Sequence, residues 1–328
     1  MNTAATTAAA AYRSAFVKML AGAALISTTS IFVRYAHVAP TVSAFYRLAF
    51  GGAMLLVILI VRGIAPTSGP PPHAGEEESA SRVARDRHSR PSVAARFGWR
   101  DAAWLVVPAF AFAIDLMMWH RSIHYIGPGL ATLIGNFQVF VMALAGVVFY
   151  REKLGWRFAL GLALAIFGLW LIVGQGWSAL SADYRLGVLL GVLTGIAYAV
   201  YMLTQRRAQL RRPALTPQIA LCGVSLICAV MLAVAVLAEG QSFAIPDGQS
   251  WAALLALAFF GQVLGWVLIS QAMPVLPASL VGLLLLLQPG LSFVLDVILF
   301  ARPTTLSDWI GLVLSLLGIF VASQRSRK

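Results

Sequence analysis

The sequence predicts an all-α membrane protein, with about ten transmembrane helices arranged as two inverted five-helix repeats. Three observations carry that expectation. The 328 residues are 60% hydrophobic and only 11% charged, with a mean hydropathy of +0.83, whereas a soluble domain carries roughly 25% charged residues to wet its surface. Apolar segments close to the ~20 residues that a helix needs to cross hydrocarbon recur along the whole chain. Residues 126–172 also fall on residues 276–322 without a gap when shifted along the sequence.

The spans follow in order. The first covers 17–36, where Arg13 and Lys18 precede an apolar run. That pattern also fits a signal peptide, but the repeat requires it as a helix. The second, 41–61, carries Arg47, and the third, 102–121, carries Asp115. Spans four and five are 128–150 and 155–174. The sixth, 186–205, has Gly187, Gly191 and Gly195 at every fourth position. This is a small-residue face for close helix packing, inside one chain or between two, and the oligomeric state stays open. The seventh, 216–238, holds Cys222 and Cys228, whose spacing points them apart on a helix and so suggests buried free thiols. The eighth is 250–272 and the tenth 305–323; in the ninth, 277–300, Pro289-Gly290 is expected to bend the helix.

These spans define the domain organisation. Residues 1–16 form a cytoplasmic N-terminal tail, 17–174 the first five-helix repeat, 175–323 the second, and 324–328 a basic cytoplasmic tail. Inside the first repeat, residues 63–101 hold the run Pro70-Pro71-Pro72, then Glu76-Glu77-Glu78 and scattered arginines, without apolar periodicity. They read as a disordered cytoplasmic loop, solvated or binding a partner. The net charge of +12 arises from residues lying between apolar segments rather than along one face, which excludes nucleic acid as the partner and points to the lipid bilayer. Nineteen of the 24 Lys and Arg residues fall on the side holding both termini, against Arg34, Arg121, Arg185 and Arg302 on the other. By the positive-inside rule both termini face the cytoplasm of a bacterial inner membrane.

The repeat places Leu130 on Leu280, Gln138 on Gln288, Gly161 on Gly311 and Gly168 on Gly318. With five spans per half, the second copy enters the membrane from the opposite side. Inverted repeats of this kind occur in secondary transporters, with the ligand near the midplane at the repeat interface.

Ionisable and polar groups inside spans are costly and default to functional hypotheses. Arg47 and Asp115 lie at similar depth and can pair, either as a lock between helices or as substrate contacts. Polar and aromatic residues recur at helical spacing in four spans: Asp115, Trp119 and Ser122; Thr194, Tyr198, Tyr201 and Gln205; Gln262, Trp266 and Ser270; and Gln288, Ser292 and Asp296. A shared polar cavity accounts for four stripes better than four separate helix contacts do. In span four, Asn136 and Gln138 point about 200° apart on a regular helix, so only one can line that cavity; Asn136, with Gly129 and Ala143 on its side, is the candidate. The candidate cavity lining is therefore Arg47, Asp115, Trp119, Asn136, Tyr198, Gln262, Trp266, Gln288 and Asp296. No phosphate-binding glycine loop or local catalytic triad occurs, and the histidines, among them His37, His120 and His124, do not pair at metal-ligand spacing within any one expected span. The expectation is no cofactor, no metal and no enzymatic activity.

Several short motifs add a family resemblance. They are Ala44-Phe45-Tyr46-Arg47-Leu48-Ala49-Phe50, Ala113-Ile114-Asp115-Leu116-Met117-Met118-Trp119-His120-Arg121-Ser122, Ala131-Thr132-Leu133-Ile134-Gly135-Asn136-Phe137-Gln138 and Arg151-Glu152-Lys153-Leu154. In order and spacing the chain resembles the EamA family of the drug/metabolite transporter superfamily over nearly its whole length outside 63–101. The resemblance implies two five-helix repeats around a central cavity and export of amino acids or similar small-molecule metabolites. This chain departs from the family pattern in three places: the 63–101 loop is longer, Arg302 stands where the acidic counterpart of Glu152 is expected, and Gln288-Pro289 replaces a Glu-Pro pair. A membrane scaffold or an integral membrane enzyme is the alternative; the first would lack a polar cavity, and the second would cluster His, Asp or Ser at one membrane face.

Overall fold

A computed structural model describes residues 2–64, 99–150, 155–174, 177–212, 214–272, 275–276 and 278–323. The first half contains α1 (Asn2–Ser27), α2 (Thr29–Tyr35), α3 (Pro40–Ile64), α4 (Trp99–Ile126), α5 (Pro128–Gly135), α6 (Gln138–Tyr150) and α7 (Trp156–Leu169), which continues as a π-helical turn over Trp170–Gly174. The second contains α8 (Ala182–Arg211), α9 (Pro217–Ala238), α10 (Gly248–Ala256), a π-helical stretch Leu257–Leu264, α11 (Gly265–Ala272), α12 (Ala278–Leu285), α13 (Leu287–Phe300) and α14 (Leu306–Ser323). No strand occurs among the described residues. Nine of the described segments are helical, long and apolar enough to cross a membrane, and Leu306–Ala322 is a shorter apolar helix. Large apolar side chains such as Val57, Val107 and Phe110 stay exposed on the outer faces of these helices. A bilayer covers them, because lipid is the solvent that leaves such groups no reason to turn inward. The protein is a multi-pass membrane protein of about ten helices.

Several edges differ from the sequence reading. Helix α1 starts at Asn2, so most of the expected tail 1–16 is helical; its alanine-rich composition favours that state. Helices α3 and α4 run into the expected loop from both sides, to Ile64 and from Trp99. Residues 65–98, the Arg151–Leu154 motif and the tail 324–328 lie outside the described residues. Helix starts have local causes. Pro128 and Pro217 sit in the first turn, where their missing N–H costs nothing. Ser181, Thr216 and Asp247 cap α8, α9 and α10 through side-chain oxygens.

Three spans are broken, each for a readable reason. At the α1–α2 junction Ser27, Thr28 and Thr29 all turn their hydroxyls back onto carbonyls three residues earlier, at 2.6–2.7 Å, which bends a helix. At the α5–α6 junction Thr132 Oγ1 donates to the Pro128 carbonyl and Asn136 Nδ2 to the Thr132 carbonyl. At the α12–α13 junction the cause is Pro289. Its ring collides with the carbonyl four residues back, that of Leu285, where α12 ends. Gln138 opens α6 and its repeat mate Gln288 lies in the first turn of α13, so the two breaks fall in the same register.

The repeat is visible in packing as well. A Cβ placed on Gly161 would meet the Gly318 carbonyl at 2.5 Å, and one on Gly168 would meet the Gly311 carbonyl at 2.5 Å. Residue 161 meets 318 while 168 meets 311, so α7 and its repeat mate α14 run antiparallel. The repeats are therefore inverted. Ser315 Oγ donates to the carbonyl of Ala165, its own repeat mate, at 3.3 Å, which places the pseudo-twofold axis close to that pair. The glycine stripe of α8 is used within the chain. Gly187 packs on Tyr125 and Ile126, Gly191 on Ser122 and Ile134, and Gly195 on the Gly135–Gln138 turn.

Candidate functional site

The helices line a cavity of about 130 Å³ whose wall takes residues from both halves. From the first half, α3 supplies Arg47, α4 supplies Phe112, Asp115 and Trp119, and the α5–α6 break supplies Asn136 and Gln138. From the second half, α8 supplies Thr194, Tyr198 and Tyr201, the π-helical stretch Gln262, α11 Trp266 and α13 Gln288.

The charged side chains of the wall are Arg47 and Asp115. Arg47 and Asp115 are 7% and 4% exposed, so both are removed from bulk water. They share the cavity wall without a direct ion pair: no Arg47 nitrogen lies within 4.0 Å of an Asp115 oxygen, although ion pairs of that kind occur elsewhere in the chain. The expected contact between the two groups is thus not a salt bridge in this structure. Arg47 instead places its guanidinium 5.4 Å from the ring centre of Trp119, within range of a cation–π contact. Trp119 follows Asp115 by one helical turn, and that spacing puts indole and carboxylate on one face.

The aromatic wall is built on α4 and α8. Phe112 stacks on Tyr201 with centroids 4.4 Å apart, and Tyr198 lies 5.5 Å from Tyr201. In the second half Gln262 is fully buried; its Nε2 donates to Ser225 Oγ at 3.0 Å, and its Oε1 has no partner. The Arg47 Nε–H is likewise buried without a partner. Gln262 sits in a π-helical stretch, where an extra residue per turn re-aims side chains and often marks functional sites.

Eight of the nine expected residues line this cavity. Asp296 does not. It lies two turns beyond Gln288 on α13, about 12 Å further along the axis, and there it accepts from the Gly129 amide at 3.0 Å and lies 3.4 Å from an Arg302 nitrogen. The helical face was read correctly but the depth was not: the stripe leaves the cavity and ends as a partner for the N-terminus of α5. Asn136 and Gln138 both line the cavity, against the expectation that they exclude one another, because the helix is broken between them and the 100° step no longer applies. Phe112, Thr29 and Gln138 were missed; Phe112 lies one turn before Asp115, and that spacing was the available signal. Among the described residues no group of three or more His, Cys, Asp or Glu side chains is placed to hold a metal ion. Both cysteines are free and buried.

At one end of the bundle the halves are tied by polar contacts. Arg121 at the end of α4 pairs with Glu239 after α9, and Thr41 donates to the same carboxylate at 2.9 Å. Tyr46 donates to the Phe243 carbonyl at 2.6 Å, and His37 lies 2.9 Å from Asp247. These contacts hold that end of the bundle closed between the halves.

A profile of the EamA-like transporter family matches residues 13–174 and again residues 185–324, once per half. The chain belongs to the EamA-like transporter family. Its two family matches coincide with the two halves that build the cavity. Among curated proteins it is 28% identical over 110 residues to an uncharacterized transporter of Haemophilus influenzae, covering 33% of this chain and 36% of that one. It is 38% identical over 117 residues to an uncharacterized protein of Pseudomonas aeruginosa, covering 36% and 37%. The matched segment thus spans about a third of the length of these curated relatives. A solved crystal structure shares the fold with a TM-score of 0.61 at 18% identity, over 95% of this chain and 96% of the other.

Proposed function

We propose that the protein is a secondary exporter of small organic metabolites, amino acids first among them, in the bacterial inner membrane. In this reading the units 17–174 and 175–323 rock about the cavity in alternating access, with both termini and the 63–101 loop in the cytoplasm. The observation that carries it is the cavity wall: Arg47 and Asp115 bring opposite charges to one small space between inverted repeats, beside flat aromatic surfaces. Small-molecule sites are built this way, from mainly apolar walls with a few polar groups that fix orientation. In inverted-repeat transporters that interface is also where a ligand can be exposed to each side in turn. The Lys and Arg tally supports the orientation.

Proteoliposomes loaded with a metabolite panel test the reading. Amino acids are expected to leave protein-containing vesicles faster than protein-free ones, and a panel in which no compound does so overturns it. Reporter fusions after residues 95 and 328 test the topology. Cytoplasmic fluorescence is expected at both points, and periplasmic phosphatase activity at either overturns it.

A further inference from the structure

The cavity wall carries two buried polar atoms without a hydrogen-bond partner, and a carboxylate beside them. The Arg47 Nε–H is buried and unpartnered, and so is the Gln262 side-chain oxygen. The Asp115 carboxylate faces the same space and takes part in none of the ion pairs or side-chain hydrogen bonds formed by the described residues. Buried polar groups are nearly always satisfied, so each such exception asks for a partner from outside the chain. Asn136 spends its Nδ2 on the Thr132 carbonyl, and Gln262 spends its Nε2 on Ser225. The charged groups of the wall are thus a donor at Arg47 and an acceptor at Asp115, and Gln262 Oε1 is a further acceptor without a partner.

We propose that the cavity binds its substrate as a zwitterion in one orientation, with its carboxylate on the Arg47 guanidinium and its ammonium group between the Asp115 carboxylate and Gln262 Oε1. The proposal rests on the transporter reading above. Three features support it beyond the unpartnered atoms. Arg47 and Asp115 are the charged side chains of the wall, and together they sum to zero. A ligand of net charge would leave one charge uncompensated in a low-dielectric site, and a zwitterion leaves none. The two groups form no direct bridge, so each stays available to a ligand's own charges. Trp119 covers one face of the guanidinium, so a carboxylate must approach from its edge, where a two-point hydrogen-bonded contact forms. The cavity volume of about 130 Å³ is close to the ~150 Å³ that accepts benzene in an engineered protein core, so a small zwitterion fits.

In this arrangement both charged ends of the ligand are held by the first repeat. The second contributes Gln262 Oε1, the indole of Trp266 and the aromatic rings of α8, which can slide without breaking an ion pair.

The test uses the full-length protein in detergent and reads binding from tryptophan fluorescence and thermal stabilisation. The twenty proteinogenic amino acids are screened first. The tightest is then compared with its amide, its decarboxylated amine and its deaminated acid. The amino acid is expected to bind at least tenfold more tightly than each analogue. Arg47→Gln is expected to remove its advantage over the amide, and Asp115→Asn its advantage over the deaminated acid. Should either variant fail to fold, the analogue series on the unaltered protein decides alone. Analogues that bind as tightly as the amino acid overturn the proposal, as does a screen in which no amino acid binds. If a metabolite without a carboxylate or without an ammonium group is nevertheless transported, the orientation is wrong and the transporter reading stands; if nothing is transported, the transporter reading itself falls.

Discussion

The first repeat brings a guanidinium and a carboxylate to the cavity, Arg47 and Asp115, whereas the second brings amides and rings, Gln262, Gln288, Trp266 and Tyr198. The backbones carrying these groups are closely matched. Both fourth spans break in the same register, and α7 and α14 meet through reciprocal glycines. Even the third spans present the same pattern, an acid-sized polar group followed one turn later by tryptophan: Asp115 and Trp119, then Gln262 and Trp266. The repeats are alike where backbone meets backbone and unlike where side chains meet the cavity. Symmetric packing gives two halves that can exchange roles, while unequal chemistry can still hold a ligand one way round.

The largest effect should come from testing the likeness. Gly161, Gly168, Gly311 and Gly318 each place a substituent against backbone of the facing helix, so a methyl group there cannot be absorbed by a rotamer change. Each single glycine-to-alanine substitution is expected to cost about 1–3 kcal/mol in overpacking. The four costs should be similar, because the pseudo-twofold axis relates Gly161 to Gly311 and Gly168 to Gly318. Thermal unfolding in detergent measures this. A large loss at Gly161 beside none at Gly311 would mean that the two helices share a sequence pattern but not an interface.

A smaller effect tests the difference. Trp119 lies under a guanidinium, and no cation–π contact links Trp266 to a described cation. Phenylalanine preserves most of the packing but offers a weaker ring face and no N–H. Trp119→Phe should therefore weaken ligand binding by about fivefold more than Trp266→Phe, corresponding to roughly 1 kcal/mol of cation–π attraction in a desolvated site. Equal losses in a titration of the best amino acid would show that the rings serve as packing in both repeats.

How far this was legible in the sequence depends on what each feature needs. Spans, the repeat and the close-packing face of Gly187, Gly191 and Gly195 depend on composition and periodicity, and the structure has them within a few residues of where they were expected. Eight cavity residues were found because polar groups at helical spacing share a face. Asp296 shows the limit: periodicity gives the face of a helix but not where along it the cavity stops. Gln138 shows another, since its exclusion assumed an unbroken helix. Pro289 announces its break, whereas the matching break at Asn136 comes from side-chain hydrogen bonds of Thr132 and Asn136 that have no strong sequence signature. The closing contacts at Glu239 and Asp247 join residues far apart in sequence, and no local pattern points to them.

The smallest expected effect concerns those closing contacts, where the repeats again differ. The connection between the second and third spans is long in the first repeat and short in the second, where residues 239–247 reach across to the first repeat. Asp247 ends this connection. Its carboxylate accepts from the Ser250 amide at 2.7 Å and lies 2.9 Å from His37 Nδ1, and these two contacts hold its carboxyl below the usual carboxylate range. A carboxyl whose pKa is lowered on folding stabilises the fold at any pH above its unfolded value, near 3.9, and that contribution disappears as pH falls through the lower folded value. Thermal stability should therefore carry a small acid-labile component below about pH 4 that Asp247→Asn removes, since an amide still caps α10 but does not titrate. Melting curves of the two proteins between pH 3 and pH 7 compare them directly. The difference between them should be largest at neutral pH, favouring the aspartate, and should shrink toward pH 3. A difference independent of pH would mean that Asp247 acts on the closed end only as a cap, and that the tie to His37 adds no charge-dependent hold between the repeats.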